Sequence, residues 1–124
     1  MRGVSTTVLI VDDHASFRAA ARLLLEAEGY AVVGEAETGA EAVRAAADLH
    51  PALVLLDVNL PDADGFAVAE RLAALAGAPA VILTSSRDGC DFGSLVASSC
   101  ACGFVPKAEL SASAIEALLH APCA

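Results

Sequence analysis

Five short runs of aliphatic and β-branched residues alternate with five longer stretches of helical periodicity, and this alternation constrains the fold more than any other feature of the chain. The runs "TVLIVDD" at 7–13, "YAVVGEA" at 30–36, "ALVLLD" at 52–57, "PAVILTSS" at 79–86 and "CGFVPK" at 102–107 read as strands. Residues 16–29, 38–50, 65–77, 92–100 and 111–120 read as the helices that follow them. In the first helix Phe17, Ala20, Ala21, Leu24 and Leu25 share a face, and Gly29 stops it. Thr38 is the candidate N-cap of the second, which has Pro51 beyond its end, and Gly93 interrupts the fourth. Parallel strands need long crossovers, and right-handed helical crossovers cover both sheet faces.

The pattern predicts a flavodoxin-like, doubly wound α/β fold: a (βα)5 three-layer sandwich with parallel strand order 2-1-3-4-5. With 124 residues and no repeat, linker or low-complexity segment, residues 1–124 are read as a single domain. The formal net charge of −9, with only seven Lys and Arg, argues against direct nucleic-acid contact by this domain, because neutralising phosphates takes clustered basic residues. No apolar stretch approaches the ~18 residues of a membrane span, and "MRGVSTT" lacks a secretory apolar core, so the expected location is the cytoplasm, away from membranes. Cys90, Cys100, Cys102 and Cys123 lack paired CxxC spacing and are read as small apolar residues rather than a zinc or disulfide set.

The strand ends carry the chemistry. In "VLLDVNLPDADGF" an apolar run closes on a carboxylate, Asp57, and a charge at the end of a buried strand is costly unless something pairs with it. The first strand ends on Asp12 and Asp13, and in the predicted order its end neighbours that of the third strand. Three like charges converging there call for a cation, and oxygen donors without His or Cys favour Mg²⁺. The fourth strand delivers Thr84 and Ser85, and the fifth delivers Lys107. A hydroxyl and an ammonium facing a carboxylate cluster suit a bound phosphoryl group, which makes Asp57 a candidate nucleophile. His14 is placed at a helix start near solvent with no catalytic part, and His50 and His120 offer nothing specific.

"VDDH" at 11–14, "LLDVNLPDADG" at 55–65, "LTSS" at 83–86 and "GFVPK" at 103–107 together resemble the receiver domain of two-component response regulators, over nearly the whole chain. "DDHASFR" and "GFVPKAEL" are most similar to the NarL/FixJ branch, whose members usually carry a C-terminal LuxR-type helix-turn-helix. The resemblance implies that Asp57 is the phosphoacceptor, that Asp12, Asp13, Asp57 and the backbone carbonyl of Asn59 bind Mg²⁺, and that Lys107 holds the phosphoryl group. It also implies Thr84 as switch hydroxyl, Phe104 as switch aromatic, and Asn59 and Ser86 as residues that tune dephosphorylation, Ser86 beside the path of the attacking water. Two departures stand out: Ser85 follows the switch threonine where alanine is frequent, and Pro106 precedes the lysine where many members have proline after it. Neither removes a functional group.

On this resemblance the expected function is two-component signalling. A sensor histidine kinase donates a phosphoryl group to Asp57, and an output surface switches, with homodimerisation on phosphorylation and transcription as the controlled process. Such a domain is not an enzyme beyond catalysing its own phosphotransfer and dephosphorylation, and any effector domain lies outside the chain. One alternative is a Mg²⁺-dependent aspartyl phosphatase or phosphotransferase, which would normally need a second acid at position 59, where the chain has Asn59. The other is a phosphorylation-independent interaction module on the same scaffold. A dinucleotide fold is disfavoured, because the first strand leads into "VDDH" and not a glycine-rich turn.

Overall fold

A computed structural model of the chain describes residues 6–58, 60–62, 64–85, 103–107, 110–111 and 113–115. In chain order these form β1 (Thr7–Val11), α1 (Ala15–Ala27), β2 (Ala31–Ala36), α2 (Gly39–Leu49), β3 (Leu53–Asp57), α3 (Gly65–Ala73), β4 (Ala80–Ser85) and β5 (Gly103–Pro106). The strands form one parallel sheet in the order β2-β1-β3-β4-β5, the order the alternation predicts. The expected fourth helix, the four cysteines, Asn59 and Ser86 lie outside the described residues. Of the expected fifth helix, residues 113–115 are described and are helical. Among the described residues no helix is long and apolar enough to cross a membrane.

Strand periodicity divides the core in two. Leu9, Val11, Val54, Leu56, Val81 and Leu83 pack with α2 and α3 residues such as Ala42, Ala46, Val68 and Leu72. Val8, Ile10, Leu53, Leu55, Ile82 and Val105 face the other way, onto Ala21 and Leu25 of α1 and onto Ile115. Central β3 is buried at every position, whereas edge strand β2 is mostly half-buried or exposed. Helix α1 buries Ala21 and Leu25 fully and Phe17 and Leu24 in part, while Ala20, expected on that face, is exposed.

The helix ends follow from local chemistry. Helix α1 closes in a Schellman motif: Tyr30 N–H donates to the Leu25 carbonyl at 3.0 Å, Gly29 N–H donates to that of Glu26 at 3.1 Å, and Gly29 takes φ 95°. Thr38 caps α2 by accepting from Glu41 N–H at 3.1 Å, as its position predicts. Asp64 caps α3 in the same way through Ala67 N–H at 2.9 Å. Helix α3 ends at Ala73, short of the expected Gly77, because Ala74 and Leu75 donate to carbonyls three residues back and tighten the last turn.

Candidate functional site

The two-residue period that sorts the core also places the site. Val8, Ile10, Leu53, Leu55, Ile82 and Val105 form rows on the α1 face, and Asp12, Asp57, Thr84 and Lys107 are the next positions of those rows. Register brings the rows together, with Ile10 opposite Leu55, Asp57 opposite Thr84 and Thr84 opposite Val105. Backbone bonds carry the pairing one step further: Asp12 N–H donates to the Ala36 carbonyl at 3.0 Å and Val58 N–H donates to that of Thr84 at 2.9 Å. Asp12, Asp57 and Thr84 are all buried.

Asp57 finds its partner in Lys107, whose Nζ lies 3.5 Å from Asp57 Oδ2 and 2.5 Å from Asp12 Oδ2. The same ammonium stands 4.5 Å from the centroid of the Phe17 ring, so one cation is held by two carboxylates and an aromatic face. Asp12 Oδ2 is taken up by this ammonium, whereas the buried Thr84 Oγ1 has no hydrogen-bond partner among the described residues. Asp12 Oδ1 accepts from His14 N–H at 2.8 Å, and Arg18 Nη1 donates to the Asp12 carbonyl.

Asp12, Asp13, His14 and Asp57 each offer one ligand atom, and the four atoms lie within 4.8 Å of one another. Three carboxylates against one ammonium leave two formal negative charges in surplus, the charge of one divalent cation. The carboxylate oxygens of Asp12, Asp13 and Asp57 are hard donors, so the residues present fit Mg²⁺. Phe104 lies apart from them. Paired with Leu83 in the sheet, it is half-buried and packs on the α2–α3 side of the core, the face opposite Val105.

The loop after β3 is held tightly. Gly65 N–H donates to the Val58 carbonyl at 2.6 Å, and a Cβ at position 65 would fall 2.5 Å from the Asp57 carbonyl oxygen and 2.7 Å from Val58 Cα. Asp62 ties the same loop to α2 by accepting from Gly39 N–H at 2.7 Å and Ala40 N–H at 3.1 Å. Those backbone bonds, Gly39's first, hold the Asp62 carboxyl below the usual carboxylate range. On the neighbouring β2, burial pushes the Glu35 carboxyl up, but hydrogen bonds from Arg22 and Arg18 outweigh it and the net shift is downward. Sequence reasoning missed His14, Phe17, Arg18, Asp62 and Gly65 as parts of the site. The "DG" pair at 64–65 was a visible turn signal for Gly65, whereas the others depend on side-chain reach between elements.

Residues 8–119 match the sequence model of the response regulator receiver domain. A Pseudomonas aeruginosa protein described as a transcriptional regulator is 41% identical over 102 residues, covering 82% of this chain and 49% of its own length. The transcriptional regulatory protein KdpE of Mycobacterium tuberculosis is 41% identical over 86 residues, 69% of this chain and 38% of its own. The chain spans about half or less of the length of the curated relatives it matches. Among solved structures, a LuxR-family two-component response regulator from Aurantimonas sp. SI85-9A1 superposes with TM-score 0.81 at 31% identity, over 94% of this chain and 86% of that one. The receiver domain of a response regulator NarL from Mycobacterium tuberculosis gives TM-score 0.83 at 27% identity, over 96% and 100%. A match along most of the chain, relatives of this identity and a shared sheet order lead to one conclusion: the chain belongs to the response regulator receiver domains.

Proposed function

We propose that this receiver domain works in the cytoplasm, accepts a phosphoryl group on Asp57 from a phosphohistidine of a sensor histidine kinase and passes the change to a surface near Phe104. The observation that carries this reading is the convergence of Asp12, Asp57 and Lys107 at adjacent strand ends. An Asp57 carboxylate oxygen attacks phosphorus as the N–P bond breaks. The imidazole departs with the bonding pair and is neutral when its other nitrogen carries a proton. Asp12, Asp13 and Asp57 would hold Mg²⁺, which would supply charge neutralisation for the phosphoryl oxygens.

The chain's own residues do the rest. Lys107 has to leave part of its contact with Asp12 to reach a phosphoryl oxygen on Asp57, and the Phe17 ring keeps it nearby. The buried Thr84 hydroxyl, without a partner among the described residues and registered beside Asp57, is a donor for another phosphoryl oxygen, and its movement alters β4 next to Phe104. Asn59 would add a backbone carbonyl to the metal, and Asn59 and Ser86 would set how readily water attacks the acyl phosphate. Because longer relatives, matched over less than half of their length, are described as transcriptional regulators, we place the output at transcription, through a DNA-binding domain and with homodimerisation of the phosphorylated form.

The test is intact-mass measurement after incubation with a small phosphodonor and Mg²⁺. The wild-type chain is expected to gain one phosphoryl group and Asp57→Asn none. Equal gain by the variant would reject Asp57 as the acceptor.

A further inference from the structure

We propose that His14 is a nitrogen ligand of the acidic pocket, so that the pocket takes imidazole-favouring first-row divalent cations such as Co²⁺ and Zn²⁺ in a mode that Mg²⁺ does not share. The inference rests on reading the pocket as a divalent-cation site, and adds to it a donor of a different chemical class.

His14 occupies the N-cap position of α1, where an oxygen side chain would normally accept from the first turn, yet its side chain makes no cap hydrogen bond. Its ring is instead turned toward the acids: Nδ1 is hydrogen-bonded to Asp12 Oδ1 at 3.1 Å and lies 3.1 Å from Asp13 Oδ1, so a metal ion would take the place of the proton that Nδ1 now shares with these carboxylates. The bond from His14 N–H to Asp12 Oδ1 pins the residue at its backbone, so the ring needs little further ordering to act as a ligand. Within the pocket the buried Asp12 Oδ2 is held by the Lys107 ammonium, whereas the buried Thr84 hydroxyl, opposite Asp57 in the sheet, has no partner among the described residues.

Distances and donor chemistry agree. Donors around a tetrahedral zinc-sized ion stand roughly 3.4 Å apart, given metal–ligand lengths of about 2.0–2.2 Å. The four donors here lie within 4.8 Å of one another, so closure by up to about 1.4 Å, a side-chain adjustment, brings them round an ion. Carboxylates suit Mg²⁺ and Mn²⁺, whereas an imidazole nitrogen adds affinity for Co²⁺, Ni²⁺ and Zn²⁺ and very little for Mg²⁺. His14 would therefore separate the two classes of ion without altering the oxygen set.

The whole chain and its His14→Ala variant are titrated with Mg²⁺ and with Co²⁺, and imidazole ¹⁵N resonances of the wild type are followed during addition of Zn²⁺ or Mg²⁺. His14→Ala is expected to weaken Co²⁺ by at least the roughly tenfold that losing even an outer partner of a metal site costs, while changing Mg²⁺ less than about twofold. The His14 Nδ1 resonance should make the large shift of direct ligation with Zn²⁺, and with Mg²⁺ only the small shift expected from a cation on the neighbouring carboxylates. Unchanged Co²⁺ affinity in the variant, equal losses for both ions, or a Zn²⁺ response at His50 or His120 but not at His14 would each overturn the proposal while leaving the carboxylate pocket standing. Failure of the wild type to bind either ion would overturn the pocket reading and the proposal with it.

Discussion

Gly65 ties backbone geometry to the site at the scale of a single residue. A side chain there would meet main-chain atoms of Asp57 and Val58, which cannot rotate away. Gly29 is the contrast: its φ of 95° favours glycine, but a Cβ would have open space around it. Gly65→Ala is expected to lose at least about 1–3 kcal/mol, as overpacking does, and to slow phosphorylation by shifting Asp57. Gly29→Ala should lose about 1–2 kcal/mol from its left-handed backbone, with the phosphorylation rate intact. Urea unfolding and a phosphodonor time course check both, and equal behaviour of the two variants would contradict the account.

At the scale of elements, α1 is fastened to β2 by charge. Arg18 Nε and Arg22 Nε, one helical turn apart, reach the two oxygens of Glu35 at 3.0 and 2.9 Å. The folded Glu35 carboxyl is held below its ordinary value, so its stabilising contribution is complete above the unfolded value and is lost as pH falls through the folded one. Asp62, bonded to the start of α2, has the same sign. Thermal midpoints measured between about pH 6 and pH 3 should fall for the wild type, and the fall should be shallower in Glu35→Gln. A variant slope as steep as the wild type's would show that other groups carry the acid sensitivity.

Much at this scale was legible, because the strand period alone aligns Asp12 after Ile10, Asp57 after Leu55, Thr84 after Ile82 and Lys107 after Val105. The Lys107–Asp12 pair was not, since it depends on how far a flexible stem reaches across the sheet. Nor was the turn of the His14 ring, which backbone pattern does not fix. Phe17 was visible as a core residue, but its contact with the ammonium required the packing of α1 against the end of β5.

Across the whole molecule, Lys107 joins the end of β5 to the ends of β1 and β3, spanning most of the sheet's width. Removing it leaves Asp12, fully buried, without its ammonium, and losing one partner of a buried pair costs roughly 3–5 kcal/mol. Lys107→Ala should therefore be strongly destabilised in chelator. A divalent cation bound only by the folded state raises stability by mass action, about 2.7 kcal/mol at a hundredfold excess over Kd. The variant's melting midpoint should rise more with Mg²⁺ than the wild type's, because the ion meets no competing ammonium. An equal or smaller rise would mean that Lys107 and the ion do not share the pocket.

Because every strand runs the same way, the carboxylates gather at one pole and the turns at 28–30, 50–52 and 74–79 at the other. Ala76 and Gly77 are exposed there, and a Cβ at Gly77 would meet nothing within 4 Å. Lengthening such a turn costs little closure entropy. That pole is thus a natural handle: a fluorophore, tether or grafted peptide between α3 and β4 would ride on the domain with the breadth of the sheet between it and the chemistry, leaving the phosphorylation readout undisturbed.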